Sequence, residues 1–322
     1  MEIPAWLAPY EPQMPLNSLV EEVNKIYHSF DAKHYDRDHP EIHQQLPAIW
    51  AEMIRQLPEK TGWCVLDFGC GTGFEALQVL QKLPGKIERL VTYDPSPEML
   101  VQCKQRLSAF SNVSFQEQLD PALDHGPFDL LLTNSLLHHL PNLRETISSL
   151  LPALTSNAYW LAGHEPSSRF YQNSECVRLF ENYSRYHNVA KWFQPISYAA
   201  KLRLIFGSHK LSATAHAAFN RGLFRAVPSH KAIDMLVDFH VAHSSGEARE
   251  GRGLDFAKLQ AVFQSDWKLL CRKTYSYLGT FSEVTAPSRW VIKARNLGQR
   301  FPADGANFCT VWCRNDNGKI SQ

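Results

Sequence analysis

The sequence predicts an α/β fold: a mostly parallel, seven-stranded sheet with helices on both faces, plus a helical insertion. Three observations carry this. Short apolar runs alternate with helical patterns between residues 62 and 166. The first of those runs ends in three alternating glycines. The alternation then stops after Pro166 and resumes near residue 267. Strands that alternate with helices at this spacing need crossover connections, which make neighbouring strands parallel and cover both faces of the sheet.

The elements follow in order. Residues 17–57 read as helical, with Leu19, Val23, Ile26, Tyr27 and Phe30 at helical spacing. A polar patch at 31–39 and Pro40 interrupt them. A second helix starts near residue 41, with Leu46, Ile49, Trp50, Met53, Ile54 and Leu57 on one face, and Pro58 ends it. Strands follow at 64–68, 89–93, 113–115, 128–133 and 159–162, with helices at 74–82, 97–110 and 143–151 between them. Residues 167–243 carry helical patterns rich in aromatics, and 244–253 read as a polar loop. Two more strands are expected at 267–278 and 306–313.

Composition narrows the function. A formal charge of +1 gives no broad basic field, which argues against a nucleic-acid carrier, and Lys201, Arg203 and Lys210 form only a thin basic cluster. With 44% hydrophobic residues the chain can build a core. No run approaches the roughly 18 apolar residues that span a bilayer, so no membrane association is expected. The first residues lack the pattern of a secretory signal. Seven cysteines without a CxxC pair read as reduced thiols, and the expected location is the cytoplasm. No spacing of His, Cys, Asp or Glu marks a metal site.

The most informative stretch is Asp67-Phe68-Gly69-Cys70-Gly71-Thr72-Gly73-Phe74, between a strand and a helix. Open α/β sheets bind ligands at that edge, and glycines let a ligand approach the backbone. A P-loop would need Gly-Lys-Ser/Thr, which is missing. A dinucleotide fingerprint needs G-x-G-x-x-G, and here the third glycine comes one residue early. What remains is an acid, one residue, then G-x-G-x-G. Asp94 closes the second strand, where an acid can accept both hydroxyls of a ribose. The fourth strand runs Phe128-Asp129-Leu130-Leu131-Leu132-Thr133-Asn134 into Ser135-Leu136-Leu137-His138-His139-Leu140.

These motifs resemble those of the class I S-adenosylmethionine (SAM) dependent methyltransferases, with a Rossmann-like sheet, over residues 62–165. The last two strands resemble that family's closing antiparallel pair. The insertion matches no subfamily. The resemblance implies that Gly69, Gly71 and Gly73 line the methionine and ribose of SAM, and that Asp67 orients the loop and the methionine ammonium, directly or through water. It implies that Asp94 holds the ribose, Pro95 and Met99 flank the adenine, and the Asn134 carbonyl lies near the methionine end. The family often places an acid after its third strand for the adenine amino group. Here Gln118 or Leu119 takes that place, with Asp120 one position later. Tyr35 is a candidate to cover the cofactor.

Methyl transfer is an in-line displacement, so positioning of the acceptor matters more than any one catalytic group. If a side-chain base takes the acceptor proton, the candidates are His139, then His164, then Glu165. The leucines around His138 and His139 fit a packed role equally well. Aromatics of the insertion, such as Tyr171, Tyr183, Phe193, Tyr198 and Phe224, suit a small organic acceptor or simple packing of a lid. Arg249 and Arg252 could clamp an anion.

The expected organisation is a helical cap over the cofactor site (1–61), a SAM-binding core (62–166), a helical substrate lid (167–253) and the C-terminal part of the core (254–322). The expected function is transfer of a methyl from SAM to O or N of a small molecule, leaving S-adenosyl-L-homocysteine, in specialised metabolism. Two alternatives stay open: a SAM-binding protein that transfers no methyl, pericyclase-like or structural, and a nicotinamide-dependent reductase. A homodimer is also open.

Overall fold

The computed structural model describes residues 3–192, 209–239, 253–279 and 283–314. Phe193, Tyr198, Lys201, Arg203, Arg249 and Arg252 lie outside them.

Seven strands form one sheet: β1 (Trp63–Phe68), β2 (Ile87–Tyr93), β3 (Val113–Gln116), β4 (Phe128–Asn134), β5 (Leu154–Pro166), β6 (Trp267–Tyr275) and β7 (Asn307–Arg314). The order is β3-β2-β1-β4-β5-β7-β6, parallel through β5 and antiparallel at β5–β7 and β7–β6. Strand order reverses between β1 and β4, and the crevice at that reversal is where such sheets bind ligands.

Successive residues of the central strands face opposite cores. Val65, Leu90 and Leu130 join one, while Leu66, Val91 and Leu131 join the other. The strands are continuously apolar because both faces are covered. The first face carries α4 (Leu46–Ile54), α5 (Phe74–Lys82) and α6 (Pro97–Arg106). The second carries α7 (Leu119–Leu123), α8 (Leu143–Leu150) and α13 (Phe256–Phe263), around Trp160, Trp267 and Trp312. Trp160 is fully buried and its indole N–H donates to Thr133 Oγ1 at 3.0 Å.

The structure departs from the sequence expectation in three places. The helix expected from residue 41 divides into α3 (Glu41–Gln44) and α4, because Pro47 in the first turn of α4 lacks an amide to continue the ladder. Strand β5 begins at Leu154, earlier than its apolar pattern shows, because Ser156 and Asn157 are exposed and a bulge interrupts its pairing with β4. The insertion is divided between two neighbours. Helices α9 (Ser168–Gln172) and α10 (Ser174–Trp192) pack on α14 (Ser288–Arg300), where Phe170, Cys176 and Tyr183 meet Trp290, Ala294 and Leu297. Helices α11 (His209–Asn220) and α12 (His230–Val237) pack on α1 (Leu16–Ser29), burying Leu19, Val23 and Ile26 against Ala215, Ile233 and Leu236. Residues far apart in the chain thus build two separate helical clusters. No described helix is long and apolar enough to cross a membrane.

Candidate active site

A cavity of about 340 Å³ opens at the carboxyl ends of β1, β2, β4 and β5. The loop after β1 forms one wall. Gly69, Gly71 and Gly73 all have left-handed backbones, with φ of +76°, +50° and +80°. A Cβ at Gly69 would stand 2.7 Å from Leu136, and one at Gly73 would stand 2.7 Å from Cys103 Sγ. Gly71 differs: a Cβ there would meet nothing within 4 Å. Two of these glycines let the loop pack, and Gly71 leaves space beside the cavity.

Asp94 locks the loop to β2. Its Oδ2 accepts from the Gly71 amide at 2.8 Å and its Oδ1 from the Ser96 amide at 2.9 Å. Burial pushes its carboxyl up to about 6. Asp67 is fully buried, and neither of its oxygens has a hydrogen-bond partner of normal geometry. Glu75, in the first turn of α5, is 3% exposed and lies in the cavity wall. Burial raises both carboxyls; the neighbouring Asp67 raises Glu75 further, while contact with Glu75 partly offsets the rise at Asp67. The glycine end of the cavity therefore carries the Glu75 carboxyl in its wall, with Asp67 buried behind it.

Of the residues expected around the cofactor, Tyr35, Gly69, Gly71, Asp94, Pro95, Met99 and Asn134 line this cavity. The Asn134 side chain is held by the Trp50 indole N–H, 3.1 Å from its Oδ1. Gly73 serves instead as the N-cap of α5, and Asp67 lies beneath the loop. Leu119 and the exposed Asp120 begin α7, outside the described wall, because the chain turns into that helix directly after β3.

The other end of the cavity carries His28, His139, His164, Ser135 and Ser276. Ser135, His164 and Ser276 have φ of 53°, 54° and 64°, a conformation that costs non-glycine residues about 1–3 kcal/mol each and concentrates at functional sites. His164 Nδ1 lies 3.0 Å from the Tyr275 hydroxyl. His139 Nδ1 contacts the Val237 carbonyl. Burial, followed by the neighbouring His138, lowers His139 to about 4.

Glu165 points away from the cavity. A bulge at Gly163 and His164, where His164 takes a left-handed backbone, breaks the alternation of β5 and leaves Glu165 beneath the turn after β4. There its Oε1 accepts from the amides of Leu136 at 2.9 Å and Leu137 at 2.8 Å, and its Oε2 lies 2.9 Å from His138 Nδ1. Burial opposes charge on both partners, but their contact outweighs it, lowering the Glu165 carboxyl and raising His138. Among the described residues, aromatics of the insertion pack elsewhere: Tyr183 and Tyr186 pack around Trp290, and Phe224 packs with Leu7 and Leu16.

A family model described as a methyltransferase domain matches residues 66–159, from β1 through β5. Those residues therefore form a methyltransferase domain, similar to the class I SAM-dependent methyltransferases. Among curated relatives, the chain is 26% identical over 161 residues to the malonyl-[acyl-carrier protein] O-methyltransferase of Acetivibrio thermocellus, covering 49% of this chain and 55% of that one. It is 30% identical over 95 residues to the squalestatin hexaketide synthase of Phoma sp., covering 26% of this chain and 4% of that one. The chain thus spans about half the length of the first relative and a small part of the second. Among solved structures, magnesium protoporphyrin IX methyltransferase from Synechocystis, with bound SAH, matches at a TM-score of 0.43 and 12% identity, covering 88% of this chain and 87% of that one.

Several residues around the site escape a linear reading. Asp36, in α2 (Tyr35–Asp38), pairs with Arg106 of α6, and both meet Thr72 of the glycine loop. Thr72 Oγ1 donates to Asp36 at 2.8 Å and accepts from Arg106 at 3.1 Å. The one available signal was that Arg106 lies one helical turn after Cys103, which touches the loop. Glu75 looked like an ordinary acid at a helix N-terminus.

Proposed function

We propose that this protein transfers the methyl group of SAM to O or N of a small organic molecule. The observation that carries the reading is the continuity of the cavity, from the glycine loop and Asp94 to His139 and His164. The residues fit SAM chemically. Asp94 retains acceptor capacity for ribose hydroxyls beyond the two amides it holds. Pro95 and Met99 offer an apolar wall, and the Glu75 carboxyl stands in the wall where a cationic ligand would meet it.

When bound, SAM supplies a methyl on a positively charged sulfur. The chain's own contribution is positional. The glycine loop and Asp94 fix one end, and the strained Ser135, His164 and Ser276 shape the other. An acceptor that carries a proton gives it to an imidazole of the wall, His139 or His164. Similarity to an O-methyltransferase of an acyl substrate and to a polyketide synthase supports an acyl-derived organic acceptor.

Calorimetric titration with SAM and S-adenosyl-L-homocysteine, beside NADPH, tests the reading. Micromolar binding of either sulfur compound, with methyl uptake by small acyl and phenolic acceptors, is expected. A folded sample that binds NADPH and neither sulfur compound overturns it. SAM bound and never consumed, across those acceptors, would favour a non-transferring role.

A further inference from the structure

We propose that His138, His139 and Asp238 form a binding site for a first-row divalent transition ion such as Zn²⁺ or Co²⁺, at the acceptor end of the cavity. The two histidines sit in the short turn Leu137–His139 after β4, and Asp238 caps the C-terminus of α12. One ligand atom from each lies within 4.8 Å of the others. Asp238 Oδ1 is 3.8 Å from His138 Nε2. That is too long for hydrogen bonds, and it suits two ligands sharing an ion at metal–ligand distances of about 2.0–2.2 Å.

The surroundings are an independent observation. Each imidazole is held by its Nδ1: His138 by the Glu165 carboxylate at 2.9 Å, His139 by the Val237 carbonyl. A carbonyl can only accept, so His139 carries its proton on Nδ1 and leaves Nε2 with a lone pair. Metal-binding histidines are oriented in this way, by a carboxylate or carbonyl on the second ring nitrogen. Glu165 is in turn fixed by the Leu136 and Leu137 amides. Two imidazoles and one carboxylate favour zinc-like ions over Mg²⁺ or Ca²⁺. Three protein ligands leave a coordination position open, and His139 belongs to the cavity wall.

The use of the site rests on the methyl-transfer reading, although its existence does not. An acceptor oxygen bound to the ion gives up its proton to His164 or to solvent. It then forms the new bond to the methyl carbon while the C–S bonding pair goes to sulfur. His139, engaged as a ligand, no longer serves as the base.

The test is titration of chelator-stripped full-length protein with Co²⁺, followed by visible absorption and by competition with Zn²⁺. One equivalent with ligand-field bands is expected, and Asp238→Asn and His139→Ala should each weaken binding at least tenfold. His125→Ala, at an exposed position outside the cluster, should leave it unchanged. Absence of Co²⁺ binding, or binding unaltered by both cluster variants, overturns the site. Should buried His139→Ala fail to fold, the partly exposed Asp238→Asn decides alone. SAM titration of the same stripped sample separates the two proposals: SAM bound without Co²⁺ removes only the metal, and Co²⁺ bound without SAM removes only the methyl-transfer reading.

Discussion

The Gly71 amide donates to Asp94 Oδ2 at 2.8 Å, so the glycine loop and the acid at the end of β2 form one mechanical unit. Any ligand that recruits Asp94 also reads the shape of the loop. Asp94→Ala should therefore weaken SAM binding by more than the loss of one contact, because it frees the Gly71 and Ser96 amides together. A loss of at least tenfold in calorimetric affinity is expected, since hydrogen bonds to a charged group contribute about 1.5–3 kcal/mol.

The same carboxyl gives a pH dependence with a defined sign. Burial raises Asp94 from 3.8 to about 6 in the ligand-free protein. Ribose hydroxyls are best accepted by the ionised form, so SAM affinity should rise as pH passes upward through 6 and then level off. Stability of the ligand-free protein takes the opposite sign. The native state binds the extra proton between 3.8 and about 6, so this group's contribution falls as pH rises through that window. Asp94→Asn should flatten the affinity profile, and a wild-type profile without a step near 6 would contradict the assignment.

Gly71 and Gly69 should respond differently to alanine. Both need a left-handed backbone, which costs alanine about 1–2 kcal/mol. At Gly69 the new methyl also collides with Leu136, while at Gly71 it meets open space. Thermal denaturation should show the larger loss for Gly69→Ala. Calorimetry should show weakened SAM binding for Gly71→Ala in a protein that still folds.

The Asp36–Arg106 pair fastens the N-terminal segment over the glycine loop through Thr72. Arg106→Ala should raise the KM for SAM several-fold and leave kcat little changed, because it loosens a cover without touching the acceptor end. Asp36→Ala should do the same, and the double variant should be no worse than either single one. Steady-state kinetics with SAM as the varied substrate would check this.

Glu165→Gln should destabilise the fold by about 3 kcal/mol in chemical denaturation, the scale for breaking a buried charged pair. The carboxylate satisfies the Leu136 and Leu137 amides and His138, and an amide cannot replace all three contacts. Unchanged stability would mean that Glu165 acts elsewhere.

Much of the fold was legible in the sequence. The mostly apolar run 128–133 marks β4, and the glycine spacing after Asp67 marks the ligand edge. Local signals suffice there, because a buried parallel strand must be apolar on both faces and a tight loop must be glycine. Asp94 was equally legible, since it ends a strand whose neighbours fix its position.

The roles of adjacent residues were not legible. His164 and Glu165 stand side by side at the end of β5, yet one joins the cavity and the other is buried under the turn after β4. A bulge at Gly163 and His164 parts them, and no residue pattern announces it. Only the packed turn says which goes where.

The sequence alone determined the sheet, the glycine loop and the acid of β2, because their signals lie within a few residues of one another. The tertiary structure decided that Asp238 meets His138 and His139, that Asp36 meets Arg106, and that α11 and α12 pack on α1. Those pairings join segments widely separated along the chain. Periodicity fixes which face of a helix is buried, and only the packing of the whole molecule selects its partner.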